Sequence, residues 1–173
     1  MILSHPIKKK IILVLISFIL YTIQFSYCQI ILNDLLYTIN NSDFEKIDSF
    51  LEKKGFIITN IKNEIGYKKI DWGKENIREN IENFHKISKI NIDDTTTIVF
   101  LTTNPKLFQQ IKNETTINKW IKLKESFEDE SLSVVYKKGT IISEFRKYGK
   151  TKEMYDTPYF VVILTKPTVN NYK

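Results

Sequence analysis

Cysteine, histidine, glycine and arginine are scarce in this 173-residue chain, and each scarcity removes a class of chemistry. One Cys and two His are too few for a structural zinc cage, which takes about four such ligands, or for the usual three-ligand catalytic site. A lone cysteine also excludes an intrachain disulfide framework. Five glycines, none in a glycine-rich strand-to-helix turn, exclude the phosphate loop and the dinucleotide fingerprint. We therefore expect no metal and no cofactor. Arginine occurs only at Arg78 and Arg146, and lysines alternate with Glu and Asp along most segments. That pattern reads as a solvated surface rather than the clustered positive face of a nucleic-acid binder, so nucleic acid is not an expected partner.

Long apolar runs are also missing, with one exception. Ile11 to Ile23 is apolar apart from Ser17, Tyr21 and Thr22, follows Lys8, Lys9 and Lys10, and precedes a more polar stretch from Gln24. The order is that of a secretory signal peptide. At 13 residues the run is shorter than the roughly 20 that cross a bilayer. Ser26 and Cys28 are small residues two apart, which predicts cleavage after Cys28 and a mature start at Gln29. The alternatives are a retained N-terminal membrane anchor, or lipid attached to Cys28, which Tyr27 disfavours. Cleavage of residues 1–28 would take away three lysines and no acid, turning a net charge of +6 into +3. His85 would be the remaining histidine, and no thiol would be left. The expected location is periplasmic or extracellular.

What is present suits a folded domain: 42% apolar and 27% charged residues match globular averages, and residues 29–173 are long enough for one core without disulfides. Ile30 to Ile39 reads as a helical lead-in. Ser42-Asp43-Phe44-Glu45 has the spacing of a capping box, Phe44, Ile47, Phe50 and Leu51 share one helical face, and Gly55 suits a left-handed cap; a helix over 43–54 follows. Runs 56–62 and 65–72 about Asn63-Glu64 predict a hairpin. Ile77, Ile81, Phe84 and Ile87 recur at helical spacing and predict a helix over 74–88. Residues 95–102 read as a strand, and Asn104-Pro105 as the cap and first position of a helix. That helix is expected to carry Leu107, Phe108 and Ile111, and its continuation or a second helix Ile117, Trp120, Ile121 and Leu123, with Glu125 to Glu130 as an acidic loop. Residues 132–137 and 140–147 predict a second hairpin about Lys138-Gly139, and 159–165 a central strand.

The segment Thr97 to Pro105 resembles Tyr159 to Pro167 without a gap at an offset of 62. Similar helix, hairpin and strand orders precede each, which suggests two α-β-β-β repeats over 42–103 and 104–167; the alternative is that two buried strands rich in Val and Ile simply look alike. Either way the expected class is α+β, an antiparallel sheet packed against helices.

Few residues offer chemistry. Asp71-Trp72-Gly73 with Glu75 is the best carboxylate group, since two carboxylates beside an aromatic platform serve glycoside hydrolysis; the same tripeptide also suits a plain turn. His85, on the expected helix, reads as a boundary residue. Glu144 reads as the solvent face of a strand, and the acidic run 125–130 lacks the spacing and Gly of a calcium loop. Asn40-Asn41-Ser42 and Asn113-Glu114-Thr115 match the glycosylation sequon. Tyr148, Tyr155 and Tyr159, among Lys147, Lys150 and Lys152, make an aromatic and basic stretch suited to binding or to packing. The leading reading is an exported binding or structural module without a catalytic centre, meeting an extracytoplasmic protein or glycan. The alternative is an exported hydrolase that acts on glycans through Asp71 and Glu75.

Overall fold

A computed structural model describes residues 29–74, 84–128, 131–149 and 158–167. Within them three helices and eight strands follow one another: α1 (Leu32–Asn40), α2 (Phe44–Glu52), β1 (Phe56–Glu64), β2 (Tyr67–Lys74), β3 (His85–Ile92), β4 (Thr95–Thr102), α3 (Pro105–Ile117), β5 (Ile121–Glu128), β6 (Ser131–Lys138), β7 (Ile141–Tyr148) and β8 (Tyr159–Pro167). The strands form one antiparallel sheet in the order β1-β2-β3-β4-β8-β7-β6-β5. This is an α+β fold. Its two halves meet at the β4–β8 pair, where Thr95 lies opposite Pro167 and Thr102 opposite Phe160.

Partners across an antiparallel ladder point to the same side of the sheet, so the registers sort every strand residue onto one of two faces. One row runs Trp72, Ile87, Phe100, Val162, Phe145, Val134, and the next runs Ile70, Lys89, Ile98, Leu164, Ser143, Tyr136. Apart from Lys89 and Ser143 these are core residues, and the helices pack on this side: α1 across β4 and β8, α2 over β1, α3 over β8 and β4. The Trp72 indole donates to Asp48 Oδ1 on α2 at 2.9 Å, so its N–H is satisfied as its rings fill the core.

Several local expectations shift. Helix α2 starts one residue later than a Ser42 cap implies, because Asp43 is the N-cap and accepts from Lys46 N. The first hairpin turns at Ile65-Gly66, two residues beyond Asn63-Glu64, since Gly66 supplies the positive φ of 71° that the turn needs. The helix expected over 74–88 is corrected at both described ends: Lys74 ends β2, and 85–88 belong to β3. His85, Ile87 and Lys89 alternate with Lys86 and Ser88 across the sheet, and pairing with both β2 and β4 outweighs the helical spacing of Phe84 and Ile87. The continuation of α3 beyond Ile117 is likewise a strand, β5, which absorbs 125–128 of the expected acidic loop. Each half therefore contains four strands after its helix, where the sequence suggests three. The signal segment 1–28 lies outside the described residues.

Candidate functional site

The helices cover one face, and no described helix packs on the other. The register assigns two adjacent rows to that helix-free face: Asp71, Ser88, Val99, Ile163, Glu144, Val135, and Gly73, Lys86, Leu101, Val161, Arg146, Ser133. Apolar residues of β4 and β8 occupy the centre, and a carboxylate cluster flanks them on each side.

In the first half Asp71 accepts from Ser88 Oγ at 2.6 Å and Asn60 Nδ2 at 3.4 Å. The ammonium groups of Lys86 and Lys69 stand 3.1 and 3.3 Å from Oδ2. Burial alone would raise the Asp71 pKa, but the Ser88 hydroxyl and the Lys86 charge outweigh it and hold the carboxyl below its ordinary range. In the second half Arg146 grips Glu144 with Nε to Oε1 at 2.6 Å and Nη2 to Oε2 at 3.0 Å, while Ser133 Oγ donates to Oε1 at 2.7 Å. Burial again opposes and the Arg146 and Ser133 hydrogen bonds win, so Glu144 too stays ionised below its ordinary range. Arg146 Nη1 also donates to Tyr148 Oη at 3.2 Å.

Tyr148 and Tyr159 lie opposite each other on β7 and β8 and stack with ring centroids 4.6 Å apart at an 11° interplanar angle. Both rings are half-buried, and burial, with the Tyr148 hydroxyl nearby, raises the Tyr159 pKa. Of the aromatic and basic stretch suited to binding or to packing, the structure thus joins Tyr148 and Tyr159 into one stacked pair. Tyr155 lies outside the described residues.

The carboxylate expectation fares differently. Asp71-Trp72-Gly73 lies inside β2, so the turn reading is corrected: Asp71 faces the helix-free side and Trp72 the core, as strand alternation requires. Glu75 lies outside the described residues. Glu144, the carboxylate of the second cluster, shares a row with Asp71 but stands four strands away, about 19 Å at the usual strand spacing. That exceeds the 5–9.5 Å window of paired glycosidase carboxylates.

His85 lies on the opposite, helix-covered face. Its Nδ1 is 2.9 Å from Thr102 Oγ1, and its ring stacks on Phe100 at 6.1 Å. Burial, with the charge of Lys74 added, lowers its pKa to about 4, so the ring is neutral at physiological pH. Sequence reasoning missed the partner because strand β3 was read as a helix.

Comparison with protein-family models, with curated proteins and with solved structures finds no match to this chain. Function must be argued from the site. Among the described residues no group of three or more His, Cys, Asp or Glu side chains is placed to hold a metal ion, and no helix is long and apolar enough to cross a membrane.

Proposed function

We propose that this chain is an exported, non-catalytic binding module that meets an extracytoplasmic protein or glycan on the helix-free face of its sheet. The stacked Tyr148–Tyr159 pair carries the reading. Two amphipathic rings are held rigid by their cross-strand position and by the Arg146 hydrogen bond, beside the apolar strip of Leu101, Val99 and Val161. Pre-ordered tyrosines give large contact area at little entropic cost. Asp71 and Glu144 support it from the other direction. Each is saturated by neighbouring donors and held ionised, which suits a charged rim and not a general acid that must arrive protonated.

Titrating the isotope-labelled protein with soluble glycans and peptides, read by NMR, tests this. Binding should move the signals of Val99, Leu101, Val161, Tyr148 and Tyr159 together, and Tyr159→Ala should weaken it about tenfold, the cost of a typical aromatic anchor. Turnover of any panel member that disappears in Asp71→Asn would overturn the proposal in favour of a hydrolase.

A further inference from the structure

Where α1 ends, a cavity of about 430 Å³ opens on the helix-covered side of the sheet; Asn41, Ser42, Lys89, Asn91, Asp93 and Lys166 are among its walls. The tyrosine pair lies on the other face, and Tyr159 starts β8 where Lys166 is near its end. The two sites therefore stand or fall independently.

The cations at this cavity lack a counter-charge. Lys89 is buried, and its ammonium gives two N–H groups to the carbonyls of Thr38, at 3.0 Å, and Asn41, which leaves the third. Lys166 Nζ donates to Asn40 Oδ1 at 2.7 Å. Lys68 pairs with Asn91 across the ladder and so shares its side of the sheet, with the ammonium 5.9 Å from the Phe44 ring centroid. None of the three forms an ion pair among the described residues. They stand close enough together that Lys166 and Lys68, after burial itself, lower the Lys89 pKa. Like charges around a buried ammonium add to the cost of its burial, and an anion in the cavity would offset that cost.

The rest of the wall suits hydroxyl groups. Asn41 Oδ1 accepts from Asp43 N at 3.0 Å, so the Asn41 amide keeps its Nδ2 donors. Asn91 is bonded to Thr96 at 3.0 Å and retains capacity for more. The Asp93 carboxylate forms no ion pair or side-chain hydrogen bond among the described residues. It can accept from a hydroxyl, and it repels added negative charge, so it admits a polyol with one carboxylate and opposes a phosphate dianion. The volume falls within the range of small-molecule sites and exceeds what a bare oxyanion fills.

We propose that this cavity binds a sugar acid, with its carboxylate between Lys89 and Lys166 and its hydroxyls on Asn41, Asn91 and Asp93.

Glucuronate is the probe, with glucose and inorganic phosphate as controls, read by backbone amide NMR on the full chain. Glucuronate should move the signals of Asn41, Lys89, Asn91 and Lys166 saturably, glucose should not at the same concentration, and phosphate should bind more weakly. Methyl β-glucuronide separates the two sources of this chemistry: binding like glucuronate marks a glycan-linked residue as the ligand, and binding of glucuronate alone marks the free acid. Lys166→Gln, at a half-buried position, should weaken glucuronate about tenfold, the worth of one charge-assisted contact, with an unchanged melting temperature. The absence of a saturable shift, equal binding of glucose, tighter binding of phosphate, shifts confined to the tyrosine face, or full affinity in Lys166→Gln would each overturn the proposal.

Discussion

Lys89 carries a charge into the middle of an otherwise apolar row. It is 7% exposed and flanked by Ile70 and Ile98. Its ammonium donates to Thr38 O at 3.0 Å and to Asn41 O, carbonyls at the C-terminal end of α1 that the helix cannot satisfy itself. Burial, reinforced by Lys166 and Lys68, lowers its pKa to about 8. Lys89→Met should cost about 2 kcal/mol in urea unfolding, because two acceptors lose their donor; an unchanged midpoint would show that the cap is dispensable. Ser143 is the opposite case. It is fully buried and its hydroxyl has no partner among the described residues, so Ser143→Ala should stabilise by up to about 1 kcal/mol, and a loss of stability would reveal a hidden partner. His85 gives a pH prediction. Its folded pKa of about 4 lies below the ordinary 6.5, so the unfolded chain takes up a proton that the folded ring refuses. That contribution is complete above pH 6.5 and is lost as pH falls toward 4. Between pH 7.5 and 4.5 the parent should lose about 2.5 kcal/mol more than His85→Gln, and parallel pH profiles would contradict it.

Among the elements, α1 depends most on its surroundings. Ile31 precedes it and offers no capping side chain, and the Leu32 amide instead donates to Glu114 Oε2 on α3 at 2.8 Å. At the other end the cap is Lys89, from β3. A helix of nine residues is marginal in isolation, so α1 persists because tertiary partners close both ends. Glu114→Ala should cost about 1 kcal/mol and should speed amide exchange over residues 32–40 before the sheet is affected; uniform exchange throughout would place the loss elsewhere. The two edge strands share a protective device. β1 has a register shift between Ile58 and Asn60 and β5 one between Lys122 and Lys124, and such bulges, with edge lysines, oppose edge-to-edge pairing even where Ile121, Leu123 and Phe127 are exposed.

At the scale of the whole molecule, the seam between halves runs through the core. Phe100 and Ile98 of β4 face Val162 and Leu164 of β8, α1 spans both strands, and α3, from the second half's lead-in, packs on β4 and β8. Residues 29–103 alone would leave Ile98, Phe100, Leu32 and Leu35 exposed. That fragment should show no cooperative melting transition, and a sharp transition would mean that each half is a domain in its own right.

Much of the fold is legible in local chemistry. Strand 95–102, the Asn104-Pro105 helix start, the turn at Gly139 and the central position of β8 follow from β-branched runs, capping and the φ freedom of glycine, all effects confined to a few neighbouring residues. The sequence by itself thus determined the α+β class, the scarcity of cysteine and histidine, and most of the element order. Only the tertiary structure decided the identity of β3 and β5, because a short apolar run with polar interruptions fits either period until flanking strands offer hydrogen bonds. It also decided the site. Tyr148 meets Tyr159, Glu144 meets Arg146 and Ser133, and His85 meets Thr102 through strand registers set by pairing over long stretches of chain; no local spacing encodes a cross-strand neighbour.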